Sequence, residues 1–204
     1  MNDGNPSPSP EFPSHAWGLD RPCGGHVVLI GFRGSGKSTV GPLLAARLVV
    51  PFIDTDEQVE QAAGKTISEI FHADGEPAFR DHERKIIVRA CRREPHVIAV
   101  GGGAVMDDGN VDALRQAGAI VWLTASSMTL RRRIAADPTS RSGRPDLTPG
   151  GGPADVGRLL RARRRRYRQI ADHRLDTTGI EPSTAADRIV MWLRRGRPRP
   201  APSE

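Results

Sequence analysis

Gly31 to Thr39 reads GFRGSGKST, and this stretch decides the fold. Gly31, Gly36, Lys37 and Ser38 satisfy the spacing G-x-x-x-x-G-K-[ST]. Ahead of it stands HVVLIGF, a short apolar run rich in β-branched residues, which reads as a buried strand. Behind it KSTVGPLLAARL reads as a helix, with Pro42 early in it, where proline is best tolerated. A glycine-rich turn between strand and helix lets successive backbone N–H groups face an anion, and the helix N-terminus adds its positive end. Gly34, Ser35, Gly36, Lys37, Ser38 and Thr39 are therefore candidate nucleotide contacts. Lys37 brings a full charge to the β- and γ-phosphates, and Ser38 offers a hydroxyl to Mg²⁺.

The same alternation continues outward. VPFIDTD reads as a second strand ending in acids, and DEQVEQAAG as a helix stopped by Gly64. TISEIFHADG opens with Thr66 and Glu69 at capping-box spacing, and EPAFRDHERKIIVRACRR is a longer helix. HVIAVGGG, AIVWLTA and HRLDTTG supply three more strands, interleaved with helices over NVDALRQAG, SMTLRRRIAAD and ADVGRLLRARRRRYRQIAD, and STAADRIVMWLRR closes the domain. Strands alternating with helices predict a three-layer α/β domain, a five-stranded parallel sheet with helices on both faces. Its bounds are residues 26–195, with a proline-rich disordered tail over 1–25 and another over 196–204. Residues 138–153, rich in proline, glycine and polar groups, are expected to form a mobile lid. Ligands of such sheets bind at the carboxyl ends of strands. GFRGSGKST, DTD and GGG each follow a strand and should meet at one edge.

Composition narrows the class. Two cysteines, Cys23 and Cys91, offer neither metal spacing nor a disulfide framework, which fits a reduced cytosol. No apolar stretch approaches the roughly 20 residues of a membrane span. The N-terminus lacks the basic-then-apolar pattern of a signal peptide. The formal charge of +6 comes from arginines grouped at 131–133, 161–168 and 194–199. They fit a solvated helix face, an anionic small-molecule site or, with few aromatics to stack bases, least well a nucleic-acid surface. The third strand ends in Gly101–Gly103 rather than in a metal-holding aspartate, and no N-K-x-D guanine motif occurs, which disfavours a GTPase switch. Three glycines after a strand suit close approach of backbone to a ligand.

Asp54 and Asp56 in FIDTD stand at i, i+2 and would point the same way from an extended strand end. There a carboxylate can hold Mg²⁺ through water or accept the proton of an attacking hydroxyl. The alternative is that Asp56 caps the next helix.

With GFRGSGKST, FIDTD, AFRDHE, GGGAV, SGRPDL, RARRRRYRQIAD and LDTTG in this order, the chain resembles shikimate kinase over roughly residues 27–193. The resemblance implies a P-loop kinase fold and ATP-dependent phosphorylation of the 3-hydroxyl of shikimate, a step towards aromatic amino acids. It implies ATP and Mg²⁺ as cofactors, with Ser38 and Asp54 at the metal. Lys37, Asp56 and the lid arginine Arg144 would be catalytic, and Asp56 would bind the substrate hydroxyls. Arg80 would pair with the shikimate carboxylate, oriented by Glu83, and Gly101, Gly102 and Gly103 would line the substrate. Arg163 would be the second carboxylate arginine, with Arg161, Arg164 and Arg166 as rivals in the same run. Arg133, Arg144 and Pro182 would stand on the nucleotide side. The expected protein is a cytoplasmic monomer. The alternatives are a kinase for gluconate or a nucleoside monophosphate, and a nucleotide-dependent RNA-binding module.

Overall fold

The computed structural model describes residues 25–137 and 153–195. Lid residues 138–152, including Arg144, and both proline-rich tails lie outside the described residues.

β1 (His26–Ile30), β2 (Phe52–Asp54), β3 (Val97–Ala99), β4 (Gly118–Thr124) and β5 (His173–Asp176) form a sheet in the order β2-β3-β1-β4-β5. Every pairing is parallel. The helices are α1 (Lys37–Leu48), α2 (Thr55–Ala63), α3 (Ile67–Ala73), α4 (Gly75–Cys91), α5 (Asp108–Ala117), α6 (Ser127–Ala136), α7 (Pro153–Ile170) and α8 (Pro182–Arg194). A 3₁₀ turn, Ala104–Met106, follows the triglycine.

The continuous apolar run in β1 arises because both faces are covered. Val27 and Leu29 enter one core with Leu44 of α1 and Ile189 of α8. Val28 and Ile30 enter the other with Ile87 of α4, Leu114 of α5 and Ile170 of α7. β4 divides likewise, Val121 and Leu123 on one side, Ile120 and Trp122 on the other. This is the pleat of a strand whose alternate residues face opposite sides. A third cluster, with Val59, Ile70 and Phe79, joins α2, α3 and α4 into a cap beside the sheet.

The expected helix boundaries hold locally. Thr66 and Glu69 make the reciprocal capping box, and Gly64 ends α2 in the left-handed conformation. Pro42 sits inside α1, and Gly41 beside it lets the Phe52 ring approach, since a Cβ there would lie 2.2 Å from it. One expectation needs correction. The second strand stops at Asp54, and helix α2 begins at Thr55, so Asp54 and Asp56 do not extend side by side. Asp54, not Asp56, is the cap: its Oδ1 accepts the Asp56 N–H at 3.0 Å.

Among the described residues no helix is long and apolar enough to cross a membrane.

Candidate active site

Gly31 to Gly36 link β1 to α1, and the loop's shape is set by backbone that only glycine adopts easily. Gly31, Gly34 and Gly36 have φ of 147°, 78° and 99°. A Cβ on Gly31 would also lie 2.2 Å from the Leu123 carbonyl oxygen, so β4 clamps the loop's first residue. Ser35 is fully buried beneath the loop; its carbonyl accepts the Thr177 hydroxyl at 3.1 Å. Its N–H donates to the Phe32 carbonyl at 3.1 Å, so the Ser35 backbone is engaged on both sides. Lys37 folds back across the loop, its Nζ donating to the Gly31 carbonyl at 2.9 Å. Ser38, one residue into α1, donates its hydroxyl to Asp54 Oδ2 at 2.7 Å. The hydroxyl and the buried carboxylate are hard oxygen donors at the phosphate end of the loop. They fit a magnesium ion that keeps water and phosphate as its other ligands. Among the described residues no cluster of three or more His, Cys, Asp or Glu makes a dedicated metal cage.

A cleft of about 350 Å³ opens beside the loop, lined by Lys37, Thr39, Ile180 and Pro182 among others. Arg133, from α6, closes one side, but its guanidinium is engaged with the protein. It donates to the Gly34 carbonyl at 3.2 Å and to the Thr177 hydroxyl and carbonyl at 3.0 and 2.9 Å. Thr177, just past β5, also reaches the Thr124 carbonyl at 3.1 Å. Arg133 and Thr177 together fix the outer turn of the phosphate loop to the ends of β4 and β5. Sequence reasoning missed Thr177, because its partners stand 142, 53 and 44 residues away.

Three helices converge on the triglycine turn. A Cβ on Gly101 would lie 2.7 Å from Asp56 Oδ1 and 2.8 Å from Glu83 Oε1. On Gly102 it would lie 3.3 Å from the Gly31 carbonyl, 3.4 Å from the Tyr167 hydroxyl and 3.5 Å from Arg163 Nη1. On Gly103 it would lie 3.0 Å from both terminal nitrogens of Arg80. Side chains from α2, α4 and α7 thus press on one bare turn, and that turn abuts the phosphate loop. The turn is held from beneath. Buried Thr55 accepts the Gly101 N–H at 3.3 Å, and Asn110 donates to the Ala104 carbonyl at 3.0 Å.

Arg80 and Glu83 share one face of α4. Arg80 Nη1 donates to Glu83 Oε2 at 2.7 Å, and its Nε and Nη2 donate to Glu76 at 3.2 and 3.0 Å. Burial pushes the Glu83 carboxyl up from its ordinary value, Arg80 pulls it back down, and the neighbouring Asp56 adds to the rise. The arginine run of α7 separates by contact. Arg163 lies over the Phe32 ring at 5.8 Å and faces Gly102. Arg166 turns to the Val105 carbonyl at 2.9 Å, while Arg161 and Arg164 are exposed. Of the four rivals, Arg163 alone touches the triglycine turn among the contacts described. Cys91 is half-buried at the end of α4 against the sheet core, and burial raises its thiol to about 11, which disfavours the reactive thiolate.

Comparison with known proteins gives the family. A family model for shikimate kinase matches residues 33–194. The shikimate kinase of Moorella thermoacetica is 43% identical over 170 residues, 83% of this chain and 95% of that one. That of Rhodopirellula baltica is 40% identical over 153 residues, 75% of this chain and 82% of its own. Among solved structures, Acinetobacter baumannii shikimate kinase in complex with shikimate superposes with a TM-score of 0.78 at 30% identity, covering 85% of this chain and 95% of that one. A gluconokinase from Sinorhizobium meliloti, at TM-score 0.51 and 21% identity, shares the fold. With a phosphate loop of this geometry facing two arginines and an aspartate across a bare glycine turn, the chain belongs to the shikimate kinase family.

Proposed function

We propose that this chain transfers the γ-phosphoryl group of ATP to the 3-hydroxyl of shikimate, with Asp56, Arg80, Arg163 and the triglycine turn holding the acceptor. One observation carries this reading. Gly102 packs between the phosphate loop, through the Gly31 carbonyl, and Arg163, so a carboxylate held by the arginines lies beside the nucleotide's phosphates.

The acceptor is fixed by charge and shape. Arg80 and Arg163 approach the turn from different helices and together suit one carboxylate, which a guanidinium grips with two parallel bonds. Asp56, on the Gly101 side of the same turn, accepts hydrogen bonds from the ring hydroxyls and takes the 3-hydroxyl proton as the oxygen attacks. The loop N–H groups, the α1 N-terminus and Lys37 stabilise negative charge on the transferred group. Mg²⁺, with Ser38 and Asp54 beside it, would neutralise phosphate charge when bound. Arg144, in SGRPDL, is proposed to close over the phosphates and exclude water. Thr39, Pro182 and Arg133 are proposed to line the nucleotide's base end, Arg133 while holding Gly34 in place. Phosphoryl transfer asks little covalent chemistry of the protein, so holding the hydroxyl in line is the main contribution. We place the enzyme in the cytosol as a monomer, where ATP is available.

Coupled ADP release, measured with and without shikimate, tests the reading. Release should depend on shikimate and stay at background with gluconate or nucleoside monophosphates. Release driven by gluconate and indifferent to shikimate would overturn it.

A further inference from the structure

Tyr167 lies in α7 one turn after Arg163, is fully buried, and has no role among those assigned above. Its ring packs against Trp122 of β4 with centroids 5.8 Å apart, and its hydroxyl emerges at the triglycine. There it donates to the Gly102 carbonyl at 2.6 Å. The Arg163 guanidinium stands beside it: a Cβ on Gly102 would lie 3.4 Å from the Tyr167 hydroxyl and 3.5 Å from Arg163 Nη1. Arginine carries donors only, so towards Arg163 the hydroxyl serves as acceptor while it donates to Gly102. Burial raises the phenol to about 12, so it keeps its proton throughout the working range. Arg163 is then held on two sides, its edge by Tyr167 and its face by Phe32 at 5.8 Å.

We propose that Tyr167 is a positioning residue for the acceptor: its hydroxyl ties Gly102 to Arg163 and so fixes the substrate-facing turn and the carboxylate arginine as one unit. The proposal rests on the reading of the acceptor site given above. A flexible arginine must lose rotamer freedom to grip a carboxylate, and a free arginine would lose it on binding. Tyr167 makes that loss part of folding. The same bond fixes the Gly102 carbonyl, so the neighbouring N–H groups keep one orientation. The ring carries the packing and the hydroxyl carries the positioning, which makes the two separable.

The separating variant is Tyr167→Phe, which keeps the ring against Trp122. Wild-type enzyme is assayed first. Shikimate-dependent ADP release by wild type establishes the acceptor, and its absence would sink the underlying reading rather than this one. In Tyr167→Phe the KM for shikimate should rise about tenfold, with the KM for ATP within about twofold and kcat within about threefold. Placing 4-aminophenylalanine at position 167 restores a donor at the ring's end and should recover part of the lost affinity. The cycle with Arg163→Lys should be non-additive in shikimate KM, because both changes break the same bond. A shikimate KM within twofold of wild type in Tyr167→Phe overturns the proposal. So does a rise of both KM values together with a lower Tm, which a packing role alone would give. Strict additivity with Arg163→Lys overturns the link to Arg163.

Discussion

Arg80 and Asp56 press on the same turn from opposite ends, Arg80 at Gly103 and Asp56 at Gly101, and their substitutions should separate in kinetics. Arg80→Ala removes binding felt equally before and during transfer, so the shikimate KM should rise at least about tenfold with little change in kcat. Asp56→Asn removes the proton acceptor, so kcat should fall by about a hundredfold or more. Steady-state kinetics with shikimate varied at saturating ATP measures both, and near-wild-type values in both variants would sink the site assignment. Glu83, 2% exposed, adds a pH signature. Burial raises its pKa above the ordinary 4.5 against the pull of Arg80. The folded state keeps this proton to higher pH than the unfolded chain. The group's contribution is therefore fully present below the ordinary carboxylate value and is lost as pH rises through the raised one. Wild-type Tm should fall more steeply than that of Glu83→Gln from about pH 4.5 towards neutrality, and parallel slopes would rule this out. Arg80 and Glu83 were legible through the family resemblance, and the helix agrees with it, since three residues bring two side chains to one face. Tyr167 and Thr177 were not. The Tyr167 bond to Gly102 and the bonds of Thr177 close over gaps of 44 to 142 residues, which no local spacing encodes; only the placing of Tyr167 four residues after Arg163 on α7 is local.

At the scale of elements, the turn after β3 behaves as a surface against which other elements are cast. The sequence showed that glycines follow the strand, but not which side chain fills each missing Cβ. That depends on α4, α2 and α7 arriving from three directions. Gly103→Ala puts a methyl 3.0 Å from both Arg80 Nη atoms, the far end of a long side chain that Glu83 and Glu76 hold. Arg80 should swing aside at small cost in stability. The expected result is a shikimate KM raised about fivefold to tenfold, an unchanged ATP KM and a Tm within a few degrees of wild type. A large Tm loss with both KM values unchanged would show that the turn, not Arg80, gives way. The misplaced aspartates belong at this scale too. The sequence reading extended β2 to Asp56, but strand pairing with β3 ends at Asp54, whose carboxylate caps α2. The early helix start sends the two carboxylates apart, Asp54 to Ser38 and Asp56 to Gly101.

Across the whole molecule, β1 is the centre of the sheet, flanked by β3 and β4 and buried on both faces. The strand alternation made this architecture legible, since only a doubly covered parallel sheet buries such continuous apolar runs. The strand's first residue, His26, could not be read as special. It is 1% exposed, its Nδ1 accepts the His96 N–H at 3.2 Å, and its Nε2 reaches the Arg93 carbonyl at 3.1 Å. The neutral ring thereby ties β1 to the turn entering β3. Burial, with nearby His96, lowers its pKa below the ordinary 6.5. The unfolded chain therefore takes up the proton first as pH falls, and stability is lost from about that ordinary value downward. Because the central strand is involved, loosening should appear as global unfolding. Thermal melts should show Tm dropping as pH falls below about 6.5, with a smaller drop in His26→Gln. An equal drop in the variant would assign the acid sensitivity elsewhere.

The stack that runs inward from β5 also has an optical meaning. Arg174 lies 5.2 Å over the Trp122 ring, whose other neighbour is Tyr167, at the back of the triglycine turn. An indole held in a dry core between a cation and a phenol emits with a wavelength and yield set by those neighbours. Trp122 is thus an intrinsic fluorophore packed against the ring whose hydroxyl meets the triglycine turn, and its emission is expected to shift when shikimate binds, over a constant background from Trp17 and Trp192.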